Sequence, residues 1–230
     1  MRRKILTIFL MLFLVISVSA CKNDDKKEEK KEEQKSDALL FKEEYEGLNG
    51  KTNANGIEHR SISIDEDNPF VYQTADEIVE RINNGETFYV YFGDTQCPWC
   101  RSAIEVAISS AKEYNIKTIY YVKIWDDDHN EILRDKLSLD ENGEVVTDKK
   151  GTDSYYELLD LLDSVLSDYT IKGIEPVEKR IYAPNYIYIE NGKPVILVEG
   201  TSELQKDSRE ELTDEMLEDE KEAFKKLFNR

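Results

Sequence analysis

The chain has 230 residues, of which 49 are acidic and 31 are basic, so that its formal net charge is −18. A surface with this excess of negative charge repels phosphate backbones and anionic headgroups, which argues against a nucleic-acid-binding protein. Hydrophobic residues make up 40% of the chain, enough for one domain with a sizeable core.

A basic and apolar leader opens the sequence. Basic residues occupy positions 2–4, and residues 5–18 are apolar apart from one threonine and one serine. A charged segment followed by an apolar run too short for a stable membrane span is typical of a secretory signal. The run ends in Val18-Ser19-Ala20-Cys21, which resembles a lipoprotein signal-peptidase site. We therefore predict a signal peptide over residues 1–20 and diacylation of Cys21, with an ordinary signal peptide or an uncleaved anchor as alternatives.

A charged segment follows Cys21. Residues 22–37 are mainly lysine, glutamate and aspartate and include no aromatic residue. Such a segment cannot bury enough apolar surface to offset the entropy lost on ordering. We predict that residues 21–38 tether a domain of residues 39–230 to the extracytoplasmic face of the cell membrane.

The first elements of this domain are marked by local patterns. Residues 61–64 and 70–72 are predicted as short strands, the former because apolar and polar side chains alternate. Thr74 and a glutamate three residues later have the spacing of a capping box, which predicts a helix over residues 75–84. Residues 88–92 are aromatic or β-branched and uncharged, as expected of a strand covered on both faces.

The motif Cys97-Pro98-Trp99-Cys100 follows this strand closely. Two cysteines three positions apart on the first turn of a helix face the same way, with Cα atoms ~5 Å apart, which suits a disulfide. Proline fits a first-turn position, and the positive end of the helix dipole beside Cys97 lowers a thiol pKa. The motif therefore predicts a redox-active pair in which Cys97 attacks and Cys100 resolves.

Half of a zinc site and a pair of inert thiols are the alternatives for this motif. Zinc needs about four ligands, but the chain has no second cysteine pair, and His59 and His129 are far from the motif in sequence. With Cys21 used as an anchor, Cys97 and Cys100 are the only cysteines left, and the loop between them is too small to stabilise the fold much. We predict no metal and no cofactor other than this redox-active disulfide.

Helix and strand signals continue after the motif. Residues 103–114 have a helical periodicity, and residues 117–124 are predicted as the next parallel strand, which completes a βαβ unit. In the polar stretch that follows we predict a capped helix over about residues 130–137, and then an amphipathic helix over residues 155–166. A metal cluster is the alternative for the polar stretch, although no fixed ligand spacing supports it. Its candidate ligands are Asp126, Asp128 and His129.

The C-terminal part is predicted to contain three strands and one helix. The strands comprise residues 181–183, 185–190 and 195–199, and Asn191-Gly192 is a strong hairpin signal between the last two. A final helix over about residues 213–228 carries an apolar stripe among many acidic residues.

The order of these motifs resembles the thioredoxin superfamily: a strand, Cys97-Pro98-Trp99-Cys100, a helix, and much later Ala183-Pro184 before a strand and a hairpin. The resemblance extends from about residue 70 to the C-terminus. The long insertion and acidic tail are similar to those of thioredoxin-like lipoproteins and bacteriocin-transport accessory proteins of Gram-positive bacteria. The resemblance implies an α/β thioredoxin-like fold with a central mixed sheet flanked by helices, a helical insertion before the cis-proline strand, and a cis Ala183-Pro184 bond against the cysteine pair.

The resemblance also implies a function, that of a membrane-anchored thiol–disulfide oxidoreductase outside the cytoplasm. Lys123 aligns with a family lysine, which implies a role in proton transfer. Tyr91 stands six residues before Cys97, where thioredoxin has a buried acid, and we assign it no catalytic role. The substrate-docking surface is expected to comprise Pro98, Trp99, Ala183 and Pro184.

The expected partners are exported protein thiols or disulfides and a membrane electron donor or acceptor, and the lipid anchor supplies the membrane contact. The alternative is a non-catalytic accessory or binding module for the export or immunity of a secreted peptide. In that case the cysteine pair is incidental, so an insulin-reduction assay separates the two.

Overall fold

A computed structural model describes residues 35–171 and 178–230. The predicted signal peptide, Cys21 and nearly all of the predicted tether lie outside the described residues. The helices are α1 (Asp37–Glu46), α2 (Ala75–Asn83), α3 (Pro98–Glu113), α4 (Asp153–Leu162) and α5 (Asp214–Phe228). The strands are β1 (Phe70–Tyr72), β2 (Phe88–Gly93), β3 (Ile119–Lys123), β4 (Lys136–Leu139), β5 (Val145–Lys149), β6 (Ser167–Tyr169), β7 (Glu178–Arg180), β8 (Asn185–Glu190) and β9 (Lys193–Val198). None of the helices in these two segments is long and apolar enough to cross a membrane.

Five strands form one mixed sheet in the order β1-β3-β2-β8-β9. Strand β3 is parallel to both β1 and β2, whereas β8 is antiparallel to β2 and β9 is antiparallel to β8. The predicted βαβ unit is present as β2, α3 and β3. The α/β class and the central mixed sheet are therefore confirmed, and the arrangement is compatible with a thioredoxin-like fold.

The two faces of the sheet are covered by different helices. Successive side chains of a strand point to opposite faces, and along β2 this alternation separates two cores. Val90 and Phe92 pack with residues of α2 and α4, whereas Tyr91 packs with residues of α1, α3 and α5. These three side chains of β2 have no exposed surface, as the uncharged sequence of the strand predicts.

Residues 61–64 are not a strand, although Ile62 and Ile64 are buried as their alternation predicts. Their backbone groups bond to side chains near the end of α1. Asn49 donates to the Ile62 carbonyl and accepts from the Ile62 N–H, and the Glu46 carboxylate accepts from the Ile64 N–H. The strand prediction was wrong because polar side chains satisfy this backbone without a neighbouring strand.

The predicted helix over residues 130–137 is also wrong, because Lys136–Leu139 is β4 and pairs with β5 in an antiparallel hairpin. His129 has a positive φ of 62°, which interrupts a right-handed helix. The Asp126 carboxylate accepts from the backbone N–H groups of Asp128 and Asn130 and fixes a turn there. The insertion before the proline strand is therefore only partly helical.

The later parts of the insertion differ less from the prediction. The amphipathic helix is present as α4 but ends four residues earlier than predicted, at Leu162. The strand expected over residues 181–183 is not formed. The strand in this region, β7, ends at Arg180 and pairs with β6. The Tyr182 N–H donates to the Asn185 side chain, so this backbone group is satisfied outside a sheet.

Helix α5 confirms the predicted amphipathic C-terminal helix and packs in the same core as α3. Glu220 lies on its buried face with no exposed surface, and neither carboxylate oxygen has a hydrogen-bond partner among the described residues. Burial raises the pKa of Glu220 to about 8, and the positive charge of Arg60 opposes this rise without cancelling it.

Glu220→Gln should remove a pH dependence of stability. Between the unfolded pKa of about 4.3 and the folded pKa, native Glu220 holds a proton that the unfolded chain has lost, so stability falls as the pH rises. Glutamine is uncharged throughout. From pH 5 to pH 8, urea unfolding should show a loss of stability about 2–4 kcal/mol larger in the wild-type protein than in the variant. Equal losses would show that Glu220 is not the group responsible.

Candidate redox site

Cys97 and Cys100 lie where strand β2 leads into helix α3. Cys97 is the N-cap residue of α3 and Pro98 opens the helix, as the sequence predicts. The Cys97 sulfur accepts a hydrogen bond from the Cys100 N–H at 3.3 Å. Both cysteines are free thiols, with Cys97 4% exposed and Cys100 fully buried. The motif therefore has one thiol at the surface edge of the core and one inside it.

Local hydrogen bonds lower the pKa of Cys97. The largest contribution is a hydrogen bond from the Cys100 side chain, and the N–H groups of Cys100 and Trp99 add to it. Burial and the negative charge of Asp94 act in the opposite direction but are outweighed. A thiol with a lowered pKa is more often a thiolate, which is the form that attacks a disulfide.

Cys100 has the opposite environment. Burial raises its pKa well above that of a free thiol, and the hydrogen bond with Cys97 raises it further. The Tyr91 hydroxyl and the backbone of Asp94 act in the opposite direction and limit this rise in the pKa of Cys100. Because the two pKa values are moved apart, Cys97 is suited to act as a nucleophile while Cys100 keeps its proton.

The Ala183-Pro184 peptide bond is cis, as predicted. It lies against the first cysteine, because the Cys97 thiol donates to the Ala183 carbonyl at 3.3 Å. Strand β8 begins immediately after this bond, and its first residue, Asn185, pairs with Phe92 near the end of β2. The antiparallel pairing of β8 with β2 thus brings the two distant motifs together.

A groove of about 630 Å³ is lined in part by Trp99, which stands between the two cysteines in the sequence. Trp99, Ala183 and Pro184 line it, so the structure brings together three of the four predicted docking residues. Pro98 instead lines a separate cavity of about 240 Å³. Other residues that line the groove are Tyr182, Glu199, Thr201 and Glu203.

Lys123 ends strand β3 and forms ion pairs with Glu44 at 3.3 Å and Asp127 at 3.0 Å. Burial alone would lower the pKa of Lys123, but the hydrogen bond with Asp127 and the charge of Glu44 raise it. Lys123 is therefore protonated, and its charge acts to lower the pKa of Asp94. The role of Lys123 in proton transfer stays a prediction.

Asp94 is a buried acid that sequence reasoning missed. Its side chain is 1% exposed, and burial raises its pKa to about 7 although the Gln96 N–H donates to the carboxylate at 2.8 Å. A single acid between an uncharged strand and the cysteine motif was the available signal. That signal is weak, because acidic residues in such turns are usually solvated.

Helix α1 also contributes to the site, which the sequence did not indicate. Tyr45 of α1 is fully buried, and its hydroxyl oxygen is 2.8 Å from that of Tyr91. Arg101, the residue after Cys100, is fully buried and attaches the α1 segment to helix α3. Its guanidinium donates to the backbone carbonyls of Tyr45, Arg60 and Thr95 and to the Asn49 side chain.

The residues proposed as alternative metal ligands do not form a cluster. Asp126 is bonded to Asn130 through both carboxylate oxygens, and the ring of His129 packs on Trp125. Within residues 35–171 and 178–230, no group of three or more His, Cys, Asp or Glu side chains is arranged to hold a metal ion.

No family model matches the chain, and no curated protein matches it. Its function is therefore inferred from the chemistry of the site. The site contains two thiols with opposed pKa shifts, a cis-proline bond against one of them, and a groove lined by that proline and by Trp99 of the motif.

Proposed function

We propose that the protein is a membrane-anchored thiol–disulfide oxidoreductase with a thioredoxin-like fold that acts outside the cytoplasm. The observation that carries the proposal is the placement of the two thiols at the start of α3. Cys97 caps the helix, accepts from the Cys100 N–H and lies against the Ala183 carbonyl, whereas Cys100 is fully buried. Inert thiols have no need of this difference. A disulfide across two intervening residues also adds little stability, so structural bracing is a poor explanation for the pair.

The proposed reaction has two exchange steps. The Cys97 thiolate attacks one sulfur of a substrate disulfide, so that a mixed disulfide forms and the other substrate sulfur leaves as a thiolate and takes up a proton. Cys100 then loses its proton and attacks the Cys97 sulfur, which releases the second substrate thiolate. The substrate gains two electrons and the protein ends with a Cys97–Cys100 disulfide, which a membrane electron donor would reduce. The reverse sequence oxidises a substrate dithiol.

The groove of Trp99, Ala183 and Pro184 is the proposed docking surface. The Ala183 carbonyl accepts from the Cys97 thiol, so a substrate segment lying along this backbone has its disulfide next to the attacking sulfur. The indole of Trp99 offers an apolar contact in the same groove. Extended segments of many sequences can bind in this way, because backbone groups carry most of the contact.

The proposed location and partners follow from the leader and the tether. Diacylation of Cys21 would supply two acyl chains, which is enough for stable anchoring, and residues 21–38 would hold the domain near the membrane. Disulfides form and persist outside the cytoplasm. Exported proteins with thiols or disulfides are accordingly the proposed substrates.

Reduction of insulin by dithiothreitol tests the proposed function. The wild-type protein should accelerate the precipitation of reduced insulin chains, because it transfers electrons from dithiothreitol to insulin disulfides. The double variant Cys97→Ser, Cys100→Ser is the control and should have no effect, since serine forms neither a reactive thiolate nor a disulfide. An inactive wild-type protein, together with a double variant that functions normally in the cell, would favour the accessory or binding module instead.

A further inference from the structure

The cavity of about 240 Å³ that Pro98 lines, here called the Pro98 cavity, has an excess of basic side chains. Two of its lining residues, Gln96 and Pro98, are the neighbours of Cys97 in the sequence. One acidic side chain, Glu58, also lines it. The basic residues of the lining are His59, Arg60, Arg101 and Arg209. This excess runs against the charge of the whole chain, which is −18.

Arg101 supplies a positive charge that the protein does not neutralise. It has no exposed surface, and its hydrogen bonds within the described ranges go to backbone carbonyls and to the Asn49 side-chain oxygen. These neutral acceptors satisfy its N–H groups but leave its charge without a counter-ion. An anion in the cavity would be attracted to this charge in surroundings of low dielectric constant, without needing a donor from Arg101.

Arg60 supplies a donor that lacks a partner. Its Nε is buried and has no hydrogen-bond partner among the residues that the structure describes, whereas one terminal nitrogen donates to the Glu210 carbonyl. Burial raises the pKa of Glu220 to about 8, so this carboxyl holds its proton at neutral pH and does not neutralise Arg60. A buried donor without a partner costs free energy. A ligand oxygen bound there would give Nε its missing acceptor.

The other basic residues add donors more than charge. Arg209 is paired with Asp207 at 2.8 Å. Burial and the charge of Arg101 lower the pKa of His59, so its ring is neutral at pH 7 and offers one N–H. The net positive charge of the cavity therefore comes mainly from Arg60 and Arg101. Pockets for drug-sized molecules measure about 300–1,000 Å³, so this smaller cavity fits a single small anionic group.

The position of the cavity indicates what carries this anionic group. A substrate disulfide must reach the Cys97 sulfur, and residues next to the substrate cysteine then lie within a few Å, because consecutive Cα atoms are about 3.8 Å apart. The cavity and the docking groove have no lining residue in common. The groove is lined by Glu199 and Glu203 and by no basic residue, so an anionic group of the substrate is favoured in the cavity and disfavoured in the groove.

We propose that the Pro98 cavity is a specificity subsite, in which Arg60 and Arg101 bind the carboxylate of an acidic residue next to the substrate cysteine. The inference rests on the proposed oxidoreductase function and narrows its substrates to exported proteins with aspartate or glutamate beside the reacting disulfide. The acidic surface of the protein opposes the approach of such segments. At physiological ionic strength this repulsion is screened beyond about 8 Å, so charges close to the bound carboxylate dominate.

Two peptides that differ in charge test the subsite. Each contains one cysteine as a thiopyridyl disulfide, flanked on both sides by glutamate in one peptide and by glutamine in the other. In a Cys21→Ser, Cys100→Ser protein, the Cys97 thiolate attacks the peptide sulfur, and thiopyridone leaves with the electron pair and takes up a proton. The glutamate peptide should react about three- to tenfold faster, because hydrogen bonds to a charged acceptor are the stronger ones.

Variants of Arg60 assign this preference to the cavity. Arg60→Gln should react equally fast with both peptides and should keep the wild-type rate with the glutamine peptide. Arg60→Lys keeps the positive charge and should keep most of the preference. Arg230→Gln is the matched control, because it removes the same charge from an exposed residue that lines neither the cavity nor the groove, and it should keep the full preference.

A second readout needs no exchange reaction. In a protein with serine at all three cysteine positions, a glutamate peptide with serine in place of cysteine should shift the Arg60 Nε–H resonance in a saturable way, and the glutamine peptide should not. Equal peptide rates without such a shift would overturn the subsite while the oxidoreductase function stands. A preference that persists in Arg60→Gln would also overturn it. A wild-type protein that reacts with neither peptide would overturn that function and the assignment of the cavity to a substrate.

Discussion

Arg101→Met should lower the free energy of unfolding by about 3–5 kcal/mol. The guanidinium is fully buried, and all its hydrogen bonds among the described residues go to neutral acceptors. Methionine has a similar length but no donor, so several buried acceptors would lose their hydrogen-bond partner. Each unsatisfied acceptor lowers the free energy of unfolding by about 1–3 kcal/mol. Part of this loss is offset because the variant no longer buries a charge that forms no ion pair within the described part of the chain.

Urea unfolding of the full chain measures this effect. Arg209→Met is the matched control, because Arg209 pairs only with the half-exposed Asp207 in the described chain and should change stability by less than about 1 kcal/mol. Hydrogen exchange should also show earlier opening of α1 in Arg101→Met, since Arg101 holds the carbonyl of Tyr45. An Arg101→Met protein with the wild-type unfolding midpoint would contradict the structural role of this residue.

The helix start at the cysteine motif and the central sheet could be predicted because their signals are local. Pro98 and the spacing of the two cysteines mark the start of α3, and the uncharged run of residues 88–92 marks a strand buried on both faces. The Asn191-Gly192 turn likewise fixed the β8–β9 hairpin, in which Glu190 pairs with Lys193. These features depend on a few neighbouring residues, so a short stretch of sequence is enough to predict them.

The contribution of α1 could not be predicted because it depends on contacts between distant residues. Only Phe41 and Tyr45 of this helix are buried, too few to give an apolar periodicity. Tyr45 meets Tyr91 across 46 positions of the chain, and Arg101 reaches back to the same helix. Contacts between such distant positions leave no local pattern in the sequence.

The β4–β5 hairpin was missed for a different reason. Its strands are largely exposed, so they lack the apolar face that makes a strand recognisable. The loop between the two strands contains Asn142-Gly143, and Gly143 has a positive φ of 80°, which is typical of a tight turn. The pairing of the polar segments on either side of it could not be inferred from this turn alone.

Cys97→Ser should reduce the insulin-reductase activity to the uncatalysed background, a loss of about 1000-fold or more, because a serine hydroxyl is not ionised and cannot form a disulfide. Cys100→Ser should lose multiple turnover for another reason. It retains the attacking thiol, and the serine hydroxyl can still donate to Cys97, but the mixed disulfide is not resolved. The two single variants should therefore fail at different steps. Both should be inactive in the insulin assay, but only Cys100→Ser should yield a mixed disulfide with insulin that can be isolated.

Mass spectrometry of the two single variants after mixing with oxidised glutathione tests the assignment of Cys97 most directly. Cys100→Ser should acquire one glutathione adduct on Cys97, since this thiol has the lowered pKa and contacts Ala183, which lines the groove. Cys97→Ser should acquire an adduct on Cys100 at least about tenfold more slowly, because Cys100 is fully buried and its pKa is raised. An adduct that forms on Cys100 as fast as on Cys97, or no adduct on Cys97, would contradict the account.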